Sequence, residues 1–135
     1  MDINYNELVQ YAILTRERAY APYSGFKVGA YLVDAYGECY YGCNIENASY
    51  SATLCAERAA FAQAIGADRY DFSAIAIVGG KDKIEDFTYP CGVCLQFMSE
   101  FCNKDFQIVL FNGKEIRVHT LAELLPNAFK KDALK

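Results

Sequence analysis

The 135-residue sequence has no excess of positive charge; its formal net charge is −4. Polynucleotides bind proteins largely by shedding counterions against clustered Lys and Arg, so duplex DNA and long RNA are disfavoured as partners. Nor does the chain hold an apolar run near the roughly 18 residues that a membrane helix needs. Its start, Met1-Asp2-Ile3-Asn4, lacks the basic and then apolar pattern of a secretory signal. Internal repeats and low-complexity tracts are missing too. These absences point to a cytoplasmic protein with neither a nucleic-acid nor a membrane partner, and a small neutral ligand fits it better.

What is present suits one domain over 1–135. Hydrophobic residues make up 53% of the chain, enough for a packed core with some surplus for a subunit interface. Aromatics make up 15%, all Tyr and Phe since Trp is absent. Six cysteines in a cytosolic chain read as metal ligands or free thiols rather than disulfides.

Asn4, with Glu7 three residues on, predicts a capped helix running to about Ala19. The segment Ala21-Pro22-Tyr23-Ser24-Gly25 breaks it. Phe26, Val28, Ala30 and Leu32 then alternate as on a half-buried strand, Tyr36-Gly37-Glu38 turns, and residues 39–44 return. Leu54 to Ile65 predicts a helix, with Gly66 as its stop. Ala74 to Val78 reads as a buried strand, after which Gly79-Gly80 opens a polar loop ending at Pro90. A further helix is expected from Cys91 to Cys102, with Pro90 at its start, then a strand over 106–111. Asn112-Gly113 is a favoured two-residue hairpin turn, so Ile116 to Val118 should pair antiparallel to that strand. Thr120 and Glu123 form a capping box for a last short helix closed by Pro126. Helix, hairpin, helix, strand, helix, hairpin, helix is the order of an α/β protein with a mixed sheet covered by helices on its faces.

Two segments carry chemistry: Cys55-Ala56-Glu57 and Pro90-Cys91-Gly92-Val93-Cys94. Cys91 and Cys94 are spaced to share one helix face, where one metal can bridge them. Cys55 lies at the start of the other helix, and the positive ends of helix dipoles favour thiolates. Three protein ligands leave a fourth tetrahedral position for water, whose pKa zinc can lower from about 15.7 towards 7. Three thiolates around Zn2+ give a net charge of −1, which weakens the Lewis acid. Hydrogen bonds from the adjacent Arg58 would draw charge off the sulfurs. Glu57, two residues from a ligand, can carry protons between water and substrate, an effect typically worth about 10² to 10⁴ in rate. From spacing alone a structural site is equally supported, with Cys39, Cys43, Cys102 or His119 as fourth ligand. A redox pair would need thioredoxin-like surroundings, which are missing. Taken singly, Glu57 and Arg58 fit solvated helix residues better.

Cys55-Ala56-Glu57-Arg58 followed by Pro90-Cys91-Gly92-Val93-Cys94 resembles the zinc nucleoside deaminase signature, with Cys in place of the first His. Similar motifs lie at Tyr20-Ala21-Pro22-Tyr23-Ser24, at residues 42–50 and at residues 123–129, so the likeness covers about residues 18 to 130. The sequence is most similar to the short, homotetrameric cytidine deaminases. That resemblance implies a three-layer α/β/α fold with about five strands, the last two antiparallel. It also implies one zinc ion on Cys55, Cys91 and Cys94, and deamination of cytidine or 2′-deoxycytidine to the uridine product plus ammonia in pyrimidine salvage. Glu57 would protonate N3 while water attacks C4. Asn44 and Glu46 would bind the ribose, chiefly its 3′-hydroxyl, Phe26 would pack on the pyrimidine, and the Ala56 backbone would contact the base. Tyr50 and Phe129 would complete a neighbouring subunit's site. Leu95 departs from the family, which usually has Arg there. The remaining cysteines, Cys39, Cys43 and Cys102, are expected to be buried free thiols.

Three rivals remain open. A deaminase of an aminonucleoside antibiotic would share the zinc core, but Asn44 and Glu46 favour a ribonucleoside. A polynucleotide-editing deaminase would need a basic, aromatic-lined groove, and the acidic balance opposes it. A structural zinc module would share the metal and lack the activity.

Overall fold

The computed structural model describes residues 2–134. Asn4 caps the first helix, its Oδ1 accepting from the Glu7 amide at 3.1 Å, and α1 spans Tyr5–Arg16. It stops short of Ala19 because the next three amides bond to carbonyls only three residues back, a tightened last turn. Strand β1 covers Lys27–Asp34 and β2 covers Cys39–Cys43. Helix α2 covers Ala56–Gly66, β3 Phe72–Gly80 and α3 Gly92–Phe101. Strands β4 and β5 cover Gln107–Phe111 and Ile116–Thr120, and α4 covers Leu121–Leu124.

The five strands lie in the order β2-β1-β3-β4-β5. Only β3 and β4 run parallel; β1 is antiparallel to both its neighbours, and β5 is antiparallel to β4. Alternation along the strands sorts the core into two layers. Ala30, Leu32, Ile75, Ile77, Ile108 and Leu110 face Phe61 of α2 and Met98 of α3. Val33, Ala74, Ala76, Val78 and Val109 face Leu8, Val9 and Ala12 of α1. The expected three-layer α/β/α arrangement with a mixed five-stranded sheet is the observed one.

Four local expectations are corrected. Phe26 stands just outside β1 and is 37% exposed, so it is not a core residue. Gly79 and Gly80 do not open the loop but end β3, paired with Val28 and Lys27. The last hairpin pairs Phe111 with Ile116, so it turns on Gly113 and Lys114, one residue later than Asn112-Gly113. The Asn112 side chain takes the outer position, accepting from the amides of Lys114 (2.9 Å) and Glu115 (2.8 Å), while Gly113 supplies the positive φ of 96°. Cys39 is exposed on the sheet's edge strand rather than buried; Cys43 and Cys102 are half-buried, and all three are free.

Leu95 is 8% exposed and belongs to the core under α3. No helix among the described residues is long and apolar enough to cross a membrane.

Candidate active site

Cys55 and Cys91 occupy equivalent places, each the N-cap of a helix in extended conformation. Their carbonyls accept the first helical amides, Ala59 N at 3.1 Å and Leu95 N at 3.0 Å. Pro90 therefore precedes the cap of α3 instead of occupying its first turn, and it is buried. Cys94 lies three residues into α3, so its sulfur and that of Cys91 converge on the Cys55 end of α2. The three sulfurs lie within 4.8 Å of one another, with Cys55 Sγ 3.9 Å from Cys91 Sγ. Among the described residues, none of Cys39, Cys43, Cys102 or His119 joins this cluster.

Three sulfurs this close share charge unevenly. Cys55 is drawn down to about 5, chiefly by a hydrogen bond from Cys94 and then by Arg58 and Cys91. Cys94 moves up because it donates to Cys55 and is buried. Arg58 Nη2 lies 3.5 Å from Cys55 Sγ and 3.5 Å from the Thr53 carbonyl. The bond to Cys55 holds the guanidinium firmly charged. Its Nε is buried without a partner.

Glu57 is 5% exposed, one helical step past Ala56, which is fully buried. Burial pushes its carboxyl up to about 7, and the Cys55 charge adds to the rise. A carboxyl that titrates near neutrality can both take and return a proton.

Asn44 and Glu46 reach this region through backbone pairing. Ile45 and Leu54 exchange two 2.9 Å bonds, which sets Asn44 to Glu46 beside the strand entering Cys55. Asn44 Oδ1 accepts from Val28 N at 2.9 Å, and its Nδ2 donates to the Phe26 carbonyl at 2.8 Å. Its side chain thus fixes where Phe26 leaves the sheet. Phe26 borders a cleft of about 510 Å³ walled by Gly79, Phe87, Thr88 and the charged side chains of Lys81, Asp82, Lys83, Glu85 and Asp86. Glu46 accepts from the amides of Tyr23 (2.9 Å) and Ser24 (3.1 Å) and from the Ser24 hydroxyl; the Ser24 hydroxyl bond lowers its pKa most. A second cleft, of about 350 Å³, lies between Tyr23, Ser24, Glu46, Tyr50 and Thr53.

Tyr50 is 74% exposed, with its ring edge-on to Tyr23 at 6.2 Å. Phe129 is 61% exposed, its carbonyl accepting from Gln96 Nε2 of α3 at 2.7 Å. No bond ties either ring to the three sulfurs of its own chain among the described residues. Sequence reasoning gave no role to Ser24, Thr53 or Leu54. Tyr23-Ser24 stood inside a recognised motif, but its grip on Glu46 spans 22 residues and had no local signal.

Fold and site together define a class: a three-layer α/β protein with two helix starts that bring three thiols and a buried carboxylate together. The model of the cytidine and deoxycytidylate deaminase zinc-binding region matches residues 3–110. The cytidine deaminase of Sporosarcina psychrophila is 44% identical over 99% of this chain and 96% of its own length. That of Halalkalibacterium halodurans is 46% identical over 90% of this chain and 91% of its own. The crystal structure of the cytidine deaminase from Burkholderia pseudomallei superposes with a TM-score of 0.87 at 43% identity, covering 94% of this chain and all of that one. The chain belongs to the cytidine and deoxycytidylate deaminase family, and it is an enzyme of that deaminating, hydrolytic class.

Proposed function

We propose that residues 1–135 form one deaminase domain that hydrolyses cytidine and 2′-deoxycytidine to uridine and deoxyuridine plus ammonia. Its place is pyrimidine salvage in the cytoplasm. One zinc ion would be held by Cys55, Cys91 and Cys94. The donor set fits: three sulfurs lie within 4.8 Å, Cys55 already favours its thiolate, and the half-buried Arg58 guanidinium stands ready to offset surplus negative charge. Zinc bound there supplies the Lewis acidity that makes a water molecule a nucleophile near neutral pH.

The observation that carries the reading is Glu57, a buried carboxyl raised to about 7 beside those sulfurs. Its carboxylate accepts the proton of the attacking water and delivers it to N3 of the pyrimidine as the new C–O bond forms at C4. It then relays the second water proton to the departing amino group, so water and cytidine give uridine and ammonia. Phe26 packs on the ring and the Ala56 backbone contacts the base. Asn44 keeps one Nδ2 hydrogen, and Glu46 keeps free lone pairs, for the ribose hydroxyls. Tyr50 and Phe129, large aromatics left exposed by their own chain, complete a neighbour's site in a homotetramer.

An ultraviolet assay of cytidine loss tests this. Glu57→Gln should keep one zinc per chain and lose about 10² to 10⁴ in rate, the usual worth of a positioned proton carrier. A zinc-loaded Glu57→Gln protein as active as wild type overturns the mechanism, and a wild type inert on cytidine overturns the function.

A further inference from the structure

Cys94 lies within α3 and Cys55 caps the buried start of α2, whereas Cys91 caps an exposed helix start and arrives from residues 81–90, which form no helix or strand. Cys91 is itself exposed. Two residues before it, Tyr89 is held from the edge strand β5. Arg117 Nη1 donates to the Tyr89 hydroxyl at 3.0 Å, and His119 Nε2 lies 3.2 Å from the same oxygen. The Arg117 guanidinium also sits 4.1 Å over the Phe87 ring. His119 is braced in turn, with Nδ1 3.5 Å from Glu123 Oε2. The other Glu123 oxygen closes the capping box of α4 by accepting from Thr120 N and Oγ1, both at 3.1 Å. A chain of contacts thus runs from a helix cap, through β5, to the residues that deliver one sulfur.

We propose that Tyr89, clamped by Arg117 and His119, is a positioning residue that holds Cys91 in register with Cys55 and Cys94. The inference rests on the ligand set given above. Groups that orient a metal ligand from outside change how tightly the metal is held. Here the lever is two residues long, so its effect is on metal release more than on the proton chemistry of Glu57.

The test follows zinc transfer from the loaded full-length protein to excess chromogenic chelator. Tyr89→Phe deletes one oxygen and keeps the ring; Arg117→Ala removes its partner. Each should release zinc about fivefold faster, less than the loss from a direct outer partner of a ligand. The double variant should be no faster than the faster single one. Asn112→Ala loosens the β4–β5 hairpin, where its side chain accepts from the amides of Lys114 and Glu115, without touching Tyr89, Arg117, His119 or Glu123, and should release at the wild-type rate. With cobalt(II) in the site, the ligand-field bands should shift in Tyr89→Phe and stay fixed in Asn112→Ala. Zinc held by the wild type but released no faster from Tyr89→Phe overturns this inference alone, as does equally fast release from Asn112→Ala. A wild type that takes up no zinc removes the ligand set and this inference with it. Tyr89→Phe carries the test if Arg117→Ala does not fold.

Discussion

The two helix starts that present the sulfurs are built in opposite ways. The start of α2 is pressed onto the sheet, with Ala56, Glu57, Ala60 and Phe61 all buried. It lies so close to β2 that a Cβ on Gly42 would stand 2.5 Å from the Ala56 carbonyl and 2.5 Å from the Ala60 amide. The start of α3 stands open: Cys91, Gly92 and Val93 are exposed, and a Cβ on Gly92 would meet nothing within 4 Å. The side that carries Glu57 is thus fixed by backbone packing before any ligand arrives. The opposite side is held by Cys94, by Tyr89 and, in the proposed enzyme, by the metal. This division suits the chemistry, since a misplaced carboxylate costs rate directly, whereas a ligand can be drawn into place by the ion it binds.

Breaking the tight side has the largest expected effect. In Gly42→Ala the new methyl meets main-chain atoms, which cannot rotate away, so α2 must lift from β2. The expected loss is about 3 kcal/mol, at the upper end for overpacking, and a fall in melting temperature of about 10 °C. Urea unfolding of the metal-free protein measures it. An alanine variant as stable as wild type would show that α2 is free to shift and that the contrast between the two starts is mistaken.

A smaller effect sharpens what burial does to Glu57. Its folded pKa of about 7 lies above the unfolded value of about 4.3. Between these values the folded state binds more protons than the unfolded one, so this contribution to stability is fully present below about pH 4.3 and is lost as pH rises through 7. Glu57→Gln lacks it. In the metal-free state, wild type should therefore lose about 2 kcal/mol relative to Glu57→Gln across that window, less than the full shift because water entering the open site eases the burial penalty. Cys55 titrates in both proteins and its charge raises Glu57, so the difference reads Glu57 together with its coupling to Cys55. Parallel stability curves against pH would place Glu57 in contact with solvent.

The sequence carried local information well. The Asn4 cap, the Thr120 and Glu123 box and the period-two strands each depend on residues a few positions apart, and they form as expected. The cluster of three sulfurs was legible because Cys91 and Cys94 share one turn and Cys55 stands beside Glu57 in sequence. What stayed hidden depends on distant partners. Gly79 and Gly80 read as loop because their β pairing with Val28 and Lys27 has no local sign. Phe26 fits an alternating strand, yet Asn44 takes hold of its carbonyl and the residue borders a cleft. Gly42 looks like an ordinary glycine in a strand until α2 is laid across it. The hairpin moved by one residue because the Asn112 side chain bonds two amides from outside the turn, a choice that composition does not decide.

The smallest expected effect tests the open side. Gly92 is the first residue of α3, and its φ is not among the positive ones. Alanine there has room in the single chain, favours helix and narrows the unfolded ensemble, so Gly92→Ala should stabilise the metal-free protein by about 0.5 kcal/mol. Urea unfolding at low protein concentration reads this. The opposite sign would be more informative than a null, because nothing within the chain can object to the methyl. A variant that gains stability as a single chain but loses assembly or substrate affinity would locate a neighbouring subunit or the nucleoside against this helix start. A variant that loses stability as a single chain would mean that the N-terminal turn of α3 is strained in a way its open surroundings do not reveal, and the contrast between a packed and an unpacked helix start would fail.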